Sequence, residues 1–567
     1  MDWLNPAPRA RKRGLIATPA SWLVAAVVGL LAFESAQARS VCPDPGTERT
    51  PLSELRAGAI AEGEPVVVEG VVTGSFMGPD QLGGFYLQQG AGAETTGLFV
   101  YAPRQDPIGV GQRLQVQGAF SRHRGRPQVS RLTHLETCGP EALPDPVALR
   151  LPDDADRLSE HLDQRVRLAQ ELTVTANHDL GRYGSLTLAA GGRLIHPNQT
   201  GTPGATRHAA RQIELDDGSY RANPDPIPYL DERETRRVGS RTEDLTGILT
   251  QAFGGYRIHP TETVEWSGGE RPGQVPEPDA HHLRIATANL ENDFVTLGER
   301  GARNRAERER QTAKLDALLH ALDADLLGAV ELENAARART ALVSRLNARQ
   351  TERGDYTAVA HPAPGDDAIK VGLLYRPDRL RLVAAAADRD AVHHRPPLLG
   401  WFETAGSDQP FGAVVVHLKA KSGCPESGDV DRGQGCWNQR RTAQAERLVE
   451  WLSEQRRGDF ADTPVLILGD LNAHAAEDPM RTLRAAGKRD LVHDDPATAY
   501  TYVFRGQAGQ LDYLLGPEAL RARVQGGATW PVNADEPRFL GFDGRDPADG
   551  PWRASDHDPV WADLRLD

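Results

Sequence analysis

The stretch Val465-Leu466-Ile467-Leu468-Gly469-Asp470-Leu471-Asn472-Ala473 decides how this chain folds. Four consecutive apolar residues read as a buried strand, and polar groups stand at its end. Asp470 and Asn472 are two positions apart, so on a strand they share a face. A carboxylate beside an amide can orient a water and accept its proton. The plainer reading is a polar turn closing a buried strand.

Three other segments repeat the arrangement, in order: Thr287-Ala288-Asn289-Leu290-Glu291, Leu326-Leu327-Gly328-Ala329-Val330-Glu331 and Ser555-Asp556-His557-Asp558-Pro559. Asn289 follows Leu283-Arg284-Ile285-Ala286, and Glu331 sits where its strand should end. The imidazole of His557 lies between two acids and leads into Val560-Trp561-Ala562-Asp563-Leu564. Alone, Glu331 reads as a surface acid and Asn289 as a strand stop. His417 closes the run Val414-Val415-Val416, and Asp512 follows Gln510-Leu511. Together these residues supply carboxylates, two amides and histidines. Phosphodiester cleavage needs such a set: hard oxygen ligands for a divalent cation, a base for water, and a cation beside the developing phosphate charge.

The context is layered. Arg271-Pro272-Gly273-Gln274-Val275-Pro276-Glu277-Pro278 reads as a linker, and residues 271–281 separate two patterns. After it, strand runs such as Lys370–Tyr375 and Ala413–Val416 alternate with helical stripes, Leu315/Leu318/Leu319/Leu322 and Ala445/Leu448/Val449/Leu452. Such alternation predicts an α/β domain over residues 282–567. Before it, the runs Val66–Val72, Phe85–Leu87, Leu98–Tyr101 and Leu114–Gly118 are short and closely punctuated by Gly and Pro. They predict a small barrel or sandwich over residues 39–140. Residues 141–270 read as a second β-rich region without a catalytic motif.

With the motifs in this order, residues 282–567 resemble the endonuclease/exonuclease/phosphatase superfamily, to which DNase I-like enzymes belong. The Gly84-Phe85-Tyr86-Leu87-Gln88-Gln89 segment resembles the OB-fold domain that precedes the catalytic domain in an extracellular-nuclease branch. Gly435-Cys436-Trp437-Asn438-Gln439-Arg440-Arg441 is similar to that branch as well. The resemblance implies a four-layer α/β/β/α sandwich holding Mg²⁺ or Mn²⁺ on Glu331, with Asn289 and Asp556 near it. It implies Asp470, set by Asn472, as the base; His557, paired with Asp512, and His417 at the scissile phosphate; and Asn438 and Arg441 as substrate contacts. A solvated helix start explains Asn438 and Arg441 equally well. One departure is Val330, which stands where many members carry Gln. Asp429 and Asp431 in the loop Gly423–Gly435 admit a Ca²⁺ site, against the simpler reading of a solvated, disulfide-closed loop.

Compartment and charge bound the function. Arg9, Arg11, Lys12 and Arg13, the apolar run Trp22–Phe33 and Ala36-Gln37-Ala38 read as an export signal cut after residue 38, with a membrane anchor over Leu15–Phe33 as the alternative. Four cysteines suit an oxidising compartment; they allow three pairings, among which the sequence does not choose, and local pairing, Cys42–Cys138 and Cys424–Cys436, is the simplest. The formal charge of -14 argues against a basic coat for polyanions, while leaving room for a local groove. The expected protein is secreted or periplasmic, with no stable membrane association after signal removal. Its expected activity is a metal-dependent endonuclease acting on DNA, with RNA a second candidate. The competing reading is a phosphatase or phospholipid phosphodiesterase on the same scaffold, since a fold does not select a substrate.

Overall fold

The computed structural model describes residues 42–565 except 45, 47, 91–94, 203–207, 350, 352, 406–409 and 546. The signal-like segment 1–38 lies outside the described residues. No helix among them is long and apolar enough to cross a membrane.

The N-terminal region is β-rich. Strands β1 (Pro65–Phe76), β2 (Gly84–Gln89), β3 (Thr96–Tyr101), β4 (Gln112–His123) and β5 (Arg126–Pro140) form a closed barrel in the order β1-β2-β3-β5-β4. Alternate residues such as Val66, Val68, Phe85, Leu87, Val100 and Val116 point inward and are buried, as the period of two demands. Cys42 pairs with Cys138, fastening the segment ahead of β1 to the end of β5. Cys424 pairs with Cys436.

An eight-stranded sheet follows, from Val147–Leu149 to Gly255–Pro260. Its core includes Leu168, Leu188, Ile213 and Leu249, and also Phe539 and Leu540 from the far C-terminal part of the chain. Gly181 permits this, because a Cβ there would lie 2.8 Å from the Phe539 ring.

The C-terminal region holds two six-stranded sheets. One runs Thr357–Ala358, Ile369–Tyr375, Leu326–Glu333, Leu283–Asp293, Val560–Leu564, Val524–Thr529. The other runs Leu380–Ala387, Leu398–Thr404, Pro410–His417, Val465–Asp470, Asp512–Pro517, Lys488–Asp490. Their inner faces meet through Ile285, Leu326 and Leu373 on one side and Val415, Leu468 and Leu514 on the other. The helices Arg305–Leu322 and Ala336–Ala348 cover one outer face through Leu315, Leu318 and Leu342. The helices Asn438–Gln455 and Asp478–Ala485 cover the other through Leu448, Leu452 and Met480. Each fully buried leucine contributes about 1.5–3 kcal/mol, so burial at these faces is what holds the layers together. Val330 belongs to the inter-sheet core and is fully buried. Packing is what this side chain provides next to Glu331.

The segment read as a linker is not free. Arg271 pairs with the buried Glu536 at 2.9 Å, Gly273 accepts from Trp530 Nε1 at 2.9 Å, Val275 is buried in the core, and Pro276 accepts from Arg284. Its Pro and Gly residues signal irregular backbone, which is compatible with a packed strap as well as with a tether.

Candidate active site

Three strands of the second sheet put their polar ends side by side. In register, His417 lies opposite Asp470, and Asp470 lies opposite Asp512. The row sits where the apolar runs stop, so three polar side chains share one buried edge. Gly469 makes the tight approach possible: its φ is +127°, and a Cβ would lie 2.1 Å from the Val416 carbonyl oxygen. An alanine would collide with the backbone of the neighbouring strand.

Asn472 does not share a strand face with Asp470. The strand ends at Asp470, and Asn472 turns back with a φ of 48°. Its backbone N–H donates to Asp470 Oδ1 at 2.7 Å, and its amide donates to Asp470 Oδ2 and to the Leu418 carbonyl, both at 3.2 Å. The amide therefore fixes the carboxylate through a turn. Burial, reinforced by the neighbouring Asp512, pushes Asp470 up to about 7 although His557 and the Asn472 N–H pull it down.

His557 reaches this row from the turn before Val560–Leu564. Its Nδ1 lies 2.7 Å from Asp512 Oδ2, which also accepts from Thr501 Oγ1 at 2.7 Å. Burial opposes charging the ring, but Asp512, Asp556 and Asp470 outweigh it and raise His557 well above the ordinary range. His417 behaves oppositely: burial, with Arg395 adding, holds it well below that range. Its Nε2 lies 3.4 Å from Asp470 Oδ2. One histidine is thus suited to carry charge and the other to remain neutral.

Glu331 and Asn289 come from the first sheet, at a paired irregularity. The register of their strands shifts between Asn289 and Asp293 and again around Glu331, whose φ is 63°. Glu331 is therefore a bulge residue rather than a strand end, and bulges re-aim side chains beside active sites. Its carboxylate accepts from Asn289 Nδ2 at 3.3 Å and from the Asn292 N–H at 3.0 Å. Burial, then the nearby Asp556, raises Glu331. Burial and Asp556 raise Glu291 too. Asp556 and Glu291 thus lie near enough to Glu331 to oppose its charge, a repulsion that a divalent cation would relieve, and carboxylate oxygens suit Mg²⁺ or Mn²⁺. Among the described residues, Asp470, Asp512 and His557 also bring possible ligand atoms within 4.8 Å of one another. In that trio Asp512 already holds His557 at 2.7 Å and Asp470 already accepts the Asn472 N–H at 2.7 Å, whereas Glu331 keeps its carboxylate beside the Asn289 amide.

The remaining expectations fare differently. Arg441 is fully buried, and its guanidinium donates to the carbonyls of Cys436, Lys419 and Gln434 at 2.7, 3.2 and 3.0 Å. It pins the disulfide loop and cannot meet a phosphate. Asn438 donates to Asp478 Oδ2 at 2.9 Å, which fastens two helices. Asp429 accepts the N–H groups of Gln439 and Arg440 at the helix start, and Asp431 accepts those of Gly433 and Gly435. These amides account for both loop acids without Ca²⁺.

Sequence reasoning missed four contributors. Glu291 lay inside a quoted motif, but its proximity to Asp556 depends on the bulge. Arg395 is buried near His417, and nothing local marks it. Asn533 holds the His557 turn by donating to the His557 carbonyl at 2.6 Å. The hairpin of Tyr502–Phe504 and Gln507–Gly509 puts the Tyr502 ring 4.6 Å from His557 and leaves Phe504 56 % exposed, with Arg505 over its face. The alternating aromatics of Thr501-Tyr502-Val503-Phe504 were the available signal.

Residues 286–557 match the Endonuclease/Exonuclease/phosphatase family. Similar solved structures include the human Nocturnin catalytic domain with bound sulfate, at 18 % identity over 51 % of this chain and 95 % of that one, TM-score 0.34. A mannosyl-6-phosphatase of Bacteroides thetaiotaomicron is 13 % identical over 50 % of this chain and 99 % of that one, TM-score 0.34. TDP2 of D. rerio, complexed with single-strand DNA product, is 14 % identical over 50 % and 99 %, TM-score 0.33. No curated protein sequence matches the chain.

Proposed function

Because residues 286–557 belong to the endonuclease/exonuclease/phosphatase family, we propose that the chain is an exported, metal-dependent nuclease that hydrolyses phosphodiester bonds of DNA. The observation that carries this is the His557–Asp512 pair beside Asp470, a base whose proton affinity is raised to about 7. Asp470, oriented by Asn472, takes the proton of the attacking water. His557, kept charged by Asp512, stabilises charge on the phosphate or protonates the leaving oxygen. His417, neutral at 3.4 Å from Asp470, limits where that carboxylate can turn. Glu331, Asn289 and Asp556 would hold Mg²⁺ or Mn²⁺, which when bound neutralises phosphate charge and favours departure of the alkoxide. Glu291, whose proton affinity burial and Asp556 raise to about 8, would add charge there once a cation drew its proton off.

Support for a nucleic-acid substrate comes from the hairpin beside His557. Tyr502 and Phe504 lie parallel within 12°, one toward the site and one exposed, with Arg505 adjacent. Aromatic faces flanked by arginine suit stacking of nucleobases. The N-terminal barrel reads as an OB-fold-like domain on the strength of its strand order and its parallel β3–β5 pair. Two disulfides fit export into an oxidising compartment.

The test is nicking of supercoiled plasmid by the protein lacking residues 1–38, with Mg²⁺, with Mn²⁺ and with EDTA, beside RNA, a sugar phosphate and a phospholipid. Nicking that stops in EDTA is expected. Turnover of the lipid or the sugar phosphate without any cleavage of nucleic acid refutes the proposal. A second expectation concerns pH. Asp470 must lose its proton and His557 must keep one, so kcat/KM should rise as pH passes about 7 and fall again on the alkaline side. A rate independent of pH between 5 and 9 would contradict these assignments.

A further inference from the structure

The segment Pro531–Glu536 stands between two parts of the molecule that share no sequence motif. On one side it grips the catalytic turn. Asn533 donates through its amide to the His557 carbonyl at 2.6 Å. The backbone N–H groups of Asn533 and Ala534 donate to Asp558 Oδ1 at 2.7 and 3.0 Å. Asn533 Oδ1 accepts the Ala554 N–H at 2.9 Å. The residues flanking His557 thus take their position from this segment.

On the other side the eight-stranded sheet and its loops grip the segment. Arg193 forks onto both oxygens of Asp535 at 2.7 and 3.0 Å. Arg237 pairs with Glu536 at 2.5 Å and donates to the Pro531 carbonyl at 2.6 Å. Thr235 donates to Glu536 Oε2, and the amide of Asn177 donates to the Asp535 carbonyl, both at 2.8 Å. Asp535 and Glu536 are 3 % and 1 % exposed, so their charges need these partners. Bidentate guanidinium–carboxylate pairs fix orientation as well as distance. Tyr500, one residue before the Thr501 that binds Asp512, also donates to Asp535 at 2.9 Å. Both ends of the His557–Asp512 pair therefore trace back to one clamped loop.

We propose that Arg193 and Arg237 are positioning residues for His557, so that residues 172–240 form part of the catalytic unit instead of an appended domain. The inference deepens the proposed function, on which its kinetic half rests. The arginines touch no substrate; they set the loop that sets the turn. Removing them frees Asn533 to shift, and the imidazole moves away from its place beside Asp512.

The test uses the full chain and two readouts. In Arg193→Gln, amide hydrogen exchange should quicken in residues 531–536 and 554–558, with the inter-sheet core strands unchanged. On plasmid DNA, the variant should lose about 10–100-fold in kcat with KM changed less than about twofold, as expected for misplaced chemistry with intact binding. In a His557→Ala background, Arg193→Gln should cost no more than about twofold further, because the group it positions is gone. Unchanged exchange at 554–558, or an equal loss in both backgrounds, overturns the proposal. If Arg193→Gln does not fold, Asn177→Ala removes a neutral donor to the same loop and is read the same way. A wild-type protein that cleaves no nucleic acid refutes the proposed function, and the exchange result still decides the clamp.

Discussion

Asp470→Asn should lose about 10²–10⁴-fold in kcat, the range that a positioned general base contributes. The asparagine keeps the shape and can still accept the Asn472 N–H that Asp470 Oδ1 accepts at 2.7 Å. It has no lone pair basic enough to take a proton from water, so binding should survive and chemistry should not. The same substitution should remove a pH dependence of stability, although its NH₂ replaces the Oδ2 that accepts from the Asn472 amide at 3.2 Å. Asp470 is buried, and its affinity for the proton is raised to about 7. Its folded-state pKa thus exceeds the unfolded value of about 3.9. Between those values the unfolded chain has released a proton that the folded chain still holds. Stability falls as pH rises through this window, and the loss is complete above the folded pKa. Thermal melts in EDTA should therefore show wild type losing Tm between pH 5 and pH 8 relative to Asp470→Asn. A variant retaining more than about a tenth of wild-type kcat would remove Asp470 from the role of base.

Glu331→Gln should raise the Mg²⁺ or Mn²⁺ concentration for half-maximal activity by about 100-fold or more. Loss of a residue that merely orients a ligand costs about 10–100-fold, and loss of the anionic ligand itself should cost at least that. The substitution preserves volume at a bulge where φ is 63°, and it can still accept the Asn292 N–H. It removes a carboxylate whose charge Asp556 and Glu291 oppose and a cation would relieve. Titrating the metal against nicking rate and, separately, isothermal calorimetry with Mn²⁺ alone would measure the change. An unaltered metal requirement would move the ion elsewhere, with the Asp470–Asp512–His557 group as the next position to test.

Local sequence carried much of the site because strand and polarity are local properties. The run Val465–Leu468 announced a buried strand, and His417, Asp470, Asp512 and His557 each stood where an apolar run stops or begins. His417, Asp470 and Asp512 meet in one row through the register of their strands, and His557 joins them through its bond to Asp512, neither of which a local pattern encodes. Glu331 shows the limit in miniature. Its residue type fitted a metal ligand, but the bulge that aims it arises from pairing with two neighbouring strands. Arg441 shows the reverse. An arginine at a helix start looks like a phosphate contact until the folded loop encloses it and supplies three carbonyls.

The alternation of elements and the chemical inventory were legible in the amino-acid sequence, because periodicity and side-chain chemistry are properties of short segments; the choice among three disulfide pairings came from the fold. Long-range packing settled which polar groups share a row, which arginines are enclosed, and that a strap of Pro and Gly is packed rather than loose. It also assigned a place to residues 172–240. Arg193 and Asp535 are separated by 342 positions, and Arg237 and Glu536 by 299. Such pairs are selected by burial: two carboxylates taken out of water need guanidinium partners, and only the packing of the whole chain determines which arginines arrive.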